Sequence, residues 1–186
     1  RLQKVDVRGG PPVTICNVAL RVRGASWGPD DTIVLGGYNS GLSRVPAGGG
    51  VPVSLTATDD SEEYHAWPQV LPDGRNVLFT VFTTRGRSFV AILSLETAEW
   101  RILEGTEDSA QPRYLESGHL VYARGGSLSG TRFDAVQCAT VGSAVPLVSD
   151  VHTRRAAGME LADFAVSRTG SLVYVPATAA SNETHL

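Results

Sequence analysis

The chain has 186 residues, of which 42% are hydrophobic and 19% charged, and its net charge is −3. That apolar share fills a core and excludes a disordered chain, and the length suits one large domain or two small ones. Nucleic-acid binding draws its affinity from neutralised phosphates and needs a basic surface, which this balance does not provide, so that class is set aside.

In chain order, Leu2 to Val7 and Pro12 to Cys16 read as a hairpin around Arg8-Gly9-Gly10-Pro11. Ala25-Ser26-Trp27 leads through Gly28-Pro29-Asp30-Asp31 into the apolar run Ile33-Val34-Leu35, which reads as strand, tight turn, strand. Leu42 to Pro46 and Val51 to Leu55 follow as a hairpin around Ala47-Gly48-Gly49-Gly50. The same two motifs then recur. Gln69-Val70-Leu71 turns at Pro72-Asp73-Gly74 into Val77-Leu78-Phe79, and Phe89 to Leu95 pairs with Glu99 to Leu103 across Glu96-Thr97-Ala98. Arg113-Tyr114-Leu115 turns at Glu116-Ser117-Gly118 into Leu120-Val121-Tyr122, with Ser127 to Phe133 and Ala144 to Val148 as a looser hairpin. Asp150 to Ala162 reads as an irregular insertion. Ala165-Val166 and Leu172-Val173-Tyr174, joined through Ser167-Arg168-Thr169-Gly170, close the series.

Each turn has a physical signature: Pro presets φ, Asp bonds its own backbone, and Gly or Asp tolerates positive φ. The turn positions Asp31, Gly74, Gly118 and Gly170 are 43, 44 and 52 residues apart. That stride matches one four-stranded propeller blade of about 40–50 residues. The reading is therefore all-β: a β-propeller segment of four-stranded antiparallel blades, roughly four blade equivalents in all. It places a half blade at 1–16, blades at 24–56, 67–104 and 110–148, and a half blade at 163–175. The propeller segment spans 1–177, and 178–186 is a tail or the start of a further repeat. The sequence opens Arg1-Leu2-Gln3 rather than with Met and carries no signal peptide or membrane-length apolar run, so it is expected to be a piece of a longer protein that inserts no segment into a membrane. The two half blades leave strand edges free. They can combine into a composite blade closing a ring of four, stay as an open arc, or pair with a second copy.

Four histidines and two cysteines are spread along the chain without metal-ligand spacing. Cys16 and Cys138 are read as small buried apolar residues. His65 stands at a blade entry before Ala66-Trp67-Pro68, where it either lines the central channel or hydrogen-bonds a blade edge; the second is favoured. His65, Trp67 and Tyr38 are the candidate binding residues. His119 follows a turn and is expected at the surface. Asp59-Asp60-Ser61-Glu62-Glu63 lacks calcium-loop spacing and reads as a solvated loop. Trp27, Trp67 and Trp100 are read as packing between blades. Neither Gly37 to Gly41 nor Gly126 to Gly130 is a nucleophile elbow. No catalytic residue, metal or cofactor is expected, and the chain is read as not an enzyme, with any catalytic domain lying outside it.

The repeat units resemble those of the Tol-system periplasmic propeller protein and its relatives. Longer stretches resemble one group in particular: Arg23 to Asp30, Gly41 to Gly49, Trp67 to Gly74, Tyr114 to Gly126 and Gly170 to Pro176. These are similar to the C-terminal propeller of bacterial, eukaryotic-like serine/threonine protein kinases. Ser127 to Phe133 departs from that family's pattern, with small polar residues at usual strand positions. The resemblance implies an extracytoplasmic sensor module, on the periplasmic side of a bacterium, that binds a protein or a small-molecule ligand. No kinase motif lies in this chain. Two alternatives stay open: the propeller gate of a prolyl-oligopeptidase-like serine hydrolase, and a free-standing periplasmic TolB-like protein.

Overall fold

The computed structural model describes residues 1–18, 21–156, 159–167 and 169–177. All regular structure in these residues is β, and the chain is built of propeller blades. A two-stranded sheet opens it, formed by β1 (Leu2–Lys4) and β2 (Val13–Cys16). Three four-stranded antiparallel sheets follow. The first holds β3 (Val22–Trp27), β4 (Thr32–Gly37), β5 (Ser43–Pro46) and β6 (Val53–Ser54). The second holds β7 (Glu62–Val70), β8 (Asn76–Thr83), β9 (Ser88–Ser94) and β10 (Trp100–Glu107). The third holds β11 (Ser109–Leu115), β12 (His119–Arg124), β13 (Ser127–Asp134) and β14 (Ala139–Val148). Within each sheet the spatial order is the chain order.

Segment 150–162 is not irregular. It carries a hairpin of β15 (Thr153–Ala156) and β16 (Met159–Ala162), after which β17 (Phe164–Val166) pairs with β18 (Leu172–Tyr174). The polar stretch Thr153-Arg154-Arg155 shows no apolar alternation, so its pairing cannot be read from pattern; the need of each backbone N–H and C=O for a partner decides it. The end pairs β1–β2 and β17–β18 belong to separate sheets, so among the described residues they form no composite blade.

Burial follows the period of two along a strand covered on both faces. In β8, Val77, Phe79 and Val81 pack with Val34 and Leu42 of the first sheet. Leu78, on the opposite face, packs with Leu103 and with Leu120 and Tyr122 of the third sheet. Each fully buried Leu or Phe contributes about 1.5–3 kcal/mol, so these sheet-on-sheet layers dominate stability. The departure at Ser127–Phe133 costs no strand: β13 is complete. Its Ser129 and Thr131 are buried, and bare Gly130 leaves room for the Leu147 side chain.

The turn residues Asp31, Gly74, Gly118 and Gly170 all have positive φ. Asp30 and Asp73 bond the backbone N–H groups of Thr32 and of Arg75 and Asn76. These turns share one rim. The loops joining second to third strands, and one sheet to the next, form the other rim. Each first strand carries a bulge at the same place, between Val22 and Ala25, Ala66 and Gln69, and Ala110 and Arg113. Within the bulges Gly24, Trp67 and Gln111 have positive φ. Bulges re-aim side chains and increase local twist, which lets successive first strands converge on the hub.

Candidate binding site at the hub

The first strands β3, β7 and β11 lie side by side and are tied by side chains that imitate the peptide group. Ser26 Oγ accepts the Val70 N–H at 2.9 Å. Gln69 accepts the Tyr114 N–H at 2.7 Å and donates to the Tyr114 carbonyl at 3.3 Å. Gln111 does the same to Ala162, at 2.9 and 3.2 Å. The close approach leaves no room at Gly24, where an added Cβ would sit 2.9 Å from Trp67 Cα.

An aromatic column stands on this framework. Tyr38 meets Tyr64 at a centroid distance of 5.3 Å, Tyr64 stacks on Phe82 at 4.8 Å, and Trp67 meets Phe82 edge-on at 5.4 Å. The Arg23 guanidinium lies 5.6 Å from the Tyr38 ring centroid. Tyr64 is fully buried, yet its hydroxyl has no hydrogen-bond partner, and neither has the buried Nε of Arg23. Burial pushes the Tyr64 phenol well above its ordinary pKa; Glu63 adds to the rise and Arg23 opposes it. A buried polar group left unpaired costs about 1–3 kcal/mol and calls for an explanation. Here two such groups share one wall with an aromatic surface.

The three candidate residues separate. Tyr38 and Trp67 join through Tyr64 and Phe82, whereas His65 lies on the other face of β7. The His65 ring is fully buried against Phe79 and Trp100, at 5.0 and 5.1 Å. Its Nδ1 is 2.7 Å from Thr56 Oγ1, which accepts the Leu42 N–H, and its Nε2 is 3.2 Å from Glu62. Burial lowers its pKa to about 4, so the ring is neutral near pH 7. With Nε2 protonated and donating to Glu62, the Thr56 hydroxyl donates to Nδ1 and every group is satisfied. His65 is thus a latch between the first and second sheets, with both ring nitrogens engaged within the protein.

The other residues singled out by sequence have ordinary surroundings. Trp27 does not pack between sheets: it is half exposed and donates Nε1 to Asp31 at 2.9 Å. Trp100 packs on Phe79 and His65. His119 is exposed and 3.0 Å from Ser117 Oγ. In the acidic loop Asp59 bonds the Ser61 N–H and hydroxyl, which holds its carboxyl below the usual range. Cys16 is buried, Cys138 half-buried, and both are free thiols. Among the described residues no group of His, Cys, Asp and Glu has the makings of a metal site, and no helix is long and apolar enough to cross a membrane.

Sequence reasoning missed Arg23, Tyr64, Gln111 and Asp163. Asp163 takes His152 Nδ1 at 2.8 Å and Arg154 at 2.7 Å, one step along the arc from Gln111. The repeated Ala66-Trp67-Pro68 and Ala110-Gln111-Pro112, one stride apart, were the signal that marked the hub positions.

No protein-family profile matches the chain, and no curated protein sequence matches it. Solved structures do. An oligogalacturonate lyase in complex with manganese superposes with TM-score 0.62 and 15% identity, over 86% of this chain and 45% of the lyase. TolB from Acinetobacter baumannii gives 0.60 and 19%, over 94% of this chain and 48% of its own. An auxiliary nutrient binding protein from Bacteroides thetaiotaomicron gives 0.64 and 11%, over 94% and 47%. The chain spans slightly less than half the length of these proteins. The likeness fixes the fold, a TolB-like propeller. It also overturns the expectation that the chain is not an enzyme. That expectation rested on repeats without catalytic motifs, and the lyases show that an enzyme can have this fold.

Proposed function

We propose that this chain is a ligand-binding propeller segment whose contact surface is the hub wall of Arg23, Tyr38 and Trp67, with the buried Tyr64 hydroxyl reached when the half-buried Tyr38 ring that packs on it shifts aside. The observation that carries the reading is the pair of buried, unpartnered donors, Tyr64 hydroxyl and Arg23 Nε, beside half-buried aromatic rings. A guanidinium and a phenol that both donate suit a carboxylate, and flat rings suit the apolar face of a sugar or an aromatic group. The ligand class is therefore a small acid with one flat apolar face, such as a uronic acid. The wider setting proposed is the extracytoplasmic sensor part of a serine/threonine kinase-like protein, on the strength of the stretches Arg23 to Asp30 and Trp67 to Gly74. Kinase motifs encoded upstream would support that setting, and a Gly-x-Ser-x-Gly elbow downstream would replace it with a hydrolase.

The test is NMR titration with galacturonate oligomers, acidic monosaccharides and neutral galactose oligomers. Saturable shifts at the Trp67 indole with the acids alone are expected, lost in Arg23→Gln. Tyr64→Phe keeps the fold, because it removes a buried hydroxyl that bonds nothing, and it weakens the same titration. Equal response to the neutral sugars, or none to any acid, contradicts the reading. A second reading, turnover of such a ligand at the hub, is favoured by the fold shared with the oligogalacturonate lyases. Chain shortening of oligogalacturonate in the same samples decides it.

A further inference from the structure

The bulge in each first strand sets what the hub wall carries. Arg23 and Gly24 together stand opposite Gly36, Trp67 and Pro68 opposite Phe79, and Gln111 and Pro112 opposite Tyr122. The strand that continues into β17 has its bulge at the same place, and there it is expanded. Val151 pairs with Pro176 and Phe164 with Tyr174, so everything from His152 to Asp163 lies opposite Val175. The Val175 carbonyl accepts the His152 N–H at 2.7 Å, and the Val175 N–H donates to the Asp163 carbonyl at 3.0 Å. The hairpin β15–β16 is therefore the fourth bulge of the series, grown into an arm.

The pairing also gives its direction. One edge of this strand is taken by β18, so the inserted residues leave from the other edge, which in a first strand faces the hub. Thr153 pairs with Ala162 at the base and Ala156 with Met159 further out, which makes an arm about 13 Å long at the rise of a β-strand. Its base is held on three sides. Gln111 bonds both backbone groups of Ala162, at 2.9 and 3.2 Å. Asp163 holds His152 Nδ1 at 2.8 Å and Arg154 at 2.7 Å. The Asp163 N–H donates to the His152 carbonyl at 3.0 Å. Charge-assisted and paired hydrogen bonds of this kind fix an element in place, so the arm stands as a wall and not as a loose loop.

We propose that this arm ends the hub groove: a ligand lying across Arg23 and Trp67 meets β15–β16 beyond Gln111, so the site takes the terminus of an acidic chain and not its interior. The inference rests on the hub-ligand reading above and adds to it the part of the ligand that is recognised. Arg23, Trp67 and Gln111 come one per first strand at matching bulge positions, a run of contacts that could follow a chain, and the fourth position breaks that run with the arm. The His152–Asp163–Arg154 cluster, which the hub wall itself does not use, is the fastening of this barrier.

Calorimetric titration of the full chain with trigalacturonate and with long polygalacturonate tests this through stoichiometry. The wild type is expected to bind one protein per ligand chain in both cases. Deleting residues 153–162 joins His152 to Asp163, whose backbone groups already lie 3.0 Å apart, and leaves a two-residue bulge like those of the other sheets. That variant is expected to keep its affinity for trigalacturonate and to bind several proteins per polygalacturonate chain. A second measurement needs no deletion: a nitroxide on Thr153→Cys, in a Cys138→Ser background, is expected to broaden one terminal unit of bound trigalacturonate most. Several wild-type proteins per polygalacturonate chain, a folded deletion variant still limited to one, or even broadening along trigalacturonate overturns the proposal and leaves the hub-ligand reading standing. No binding of any galacturonate by the wild type removes the hub-ligand reading and this inference with it.

Discussion

His65 sits where sequence position alone suggested two roles, and its ring is buried with both nitrogens hydrogen-bonded within the protein. A fully buried ring with a pKa of about 4 binds no proton near neutrality, while in the unfolded chain it titrates near 6.5. Between those values the unfolded state holds more protons, so stability rises with pH across the window and is lost as pH falls from 6.5 toward 4. A tenfold change in proton affinity corresponds to about 1.36 kcal/mol, so the loss is on the order of 3 kcal/mol. Glu62, whose carboxyl pKa burial raises, opposes this in part. Urea melts at pH 7 and pH 5 are expected to differ in wild type and to converge in His65→Gln; an unchanged difference in the variant contradicts the assignment. The candidate site was only half legible for a related reason. Tyr38 and Trp67 stand out as large aromatic residues at loop and bulge, but their union depends on Tyr64 and Phe82, whose apolar setting looks like any strand. Arg23 carries no motif, and a missing hydrogen bond has no sequence signature.

At the level of elements, the link between sheets is carried by side chains acting as peptide groups. Gln69 bonds both backbone groups of Tyr114. Gln69→Ala leaves that N–H and carbonyl without partners and is expected to cost about 1–3 kcal/mol in urea unfolding, whereas Gln69→Glu keeps the N–H contact and costs less. Equal losses in the two variants contradict the clasp. Most of the architecture was legible because strands covered on both faces must read as apolar runs, as in Val77 to Phe82, and because Pro-Asp-Gly chemistry marks the reversals. Sheet composition was legible through the stride of those turns. The hairpin at Thr153 to Ala162 was not, since its pairing serves backbone groups and leaves no apolar alternation. The bulges at Trp67 and Gln111 were hidden too, because nothing in either residue type announces a positive φ.

The whole molecule is a row of sheets, each stabilised by its neighbours, so protection from hydrogen exchange is expected to peak in β7–β13 and fall at both ends. Amides of β8 and β12 exchange slowest, and those of β1, β17 and β18 fastest. Uniform protection along the arc contradicts this nearest-neighbour picture. The proposed extracytoplasmic setting and the proposed hub ligand both presuppose that stacking. Methyl–methyl and methyl–aromatic NOEs test it most directly. The account predicts contacts from Leu42 to Val81 and Phe79, and from Leu103 to Leu120 and Tyr122, because those side chains meet only where successive sheets lie face to face. Absence of these contacts, with Leu42 and Leu103 instead sharing one layer across a two-sheet sandwich, would contradict the propeller and everything built on it.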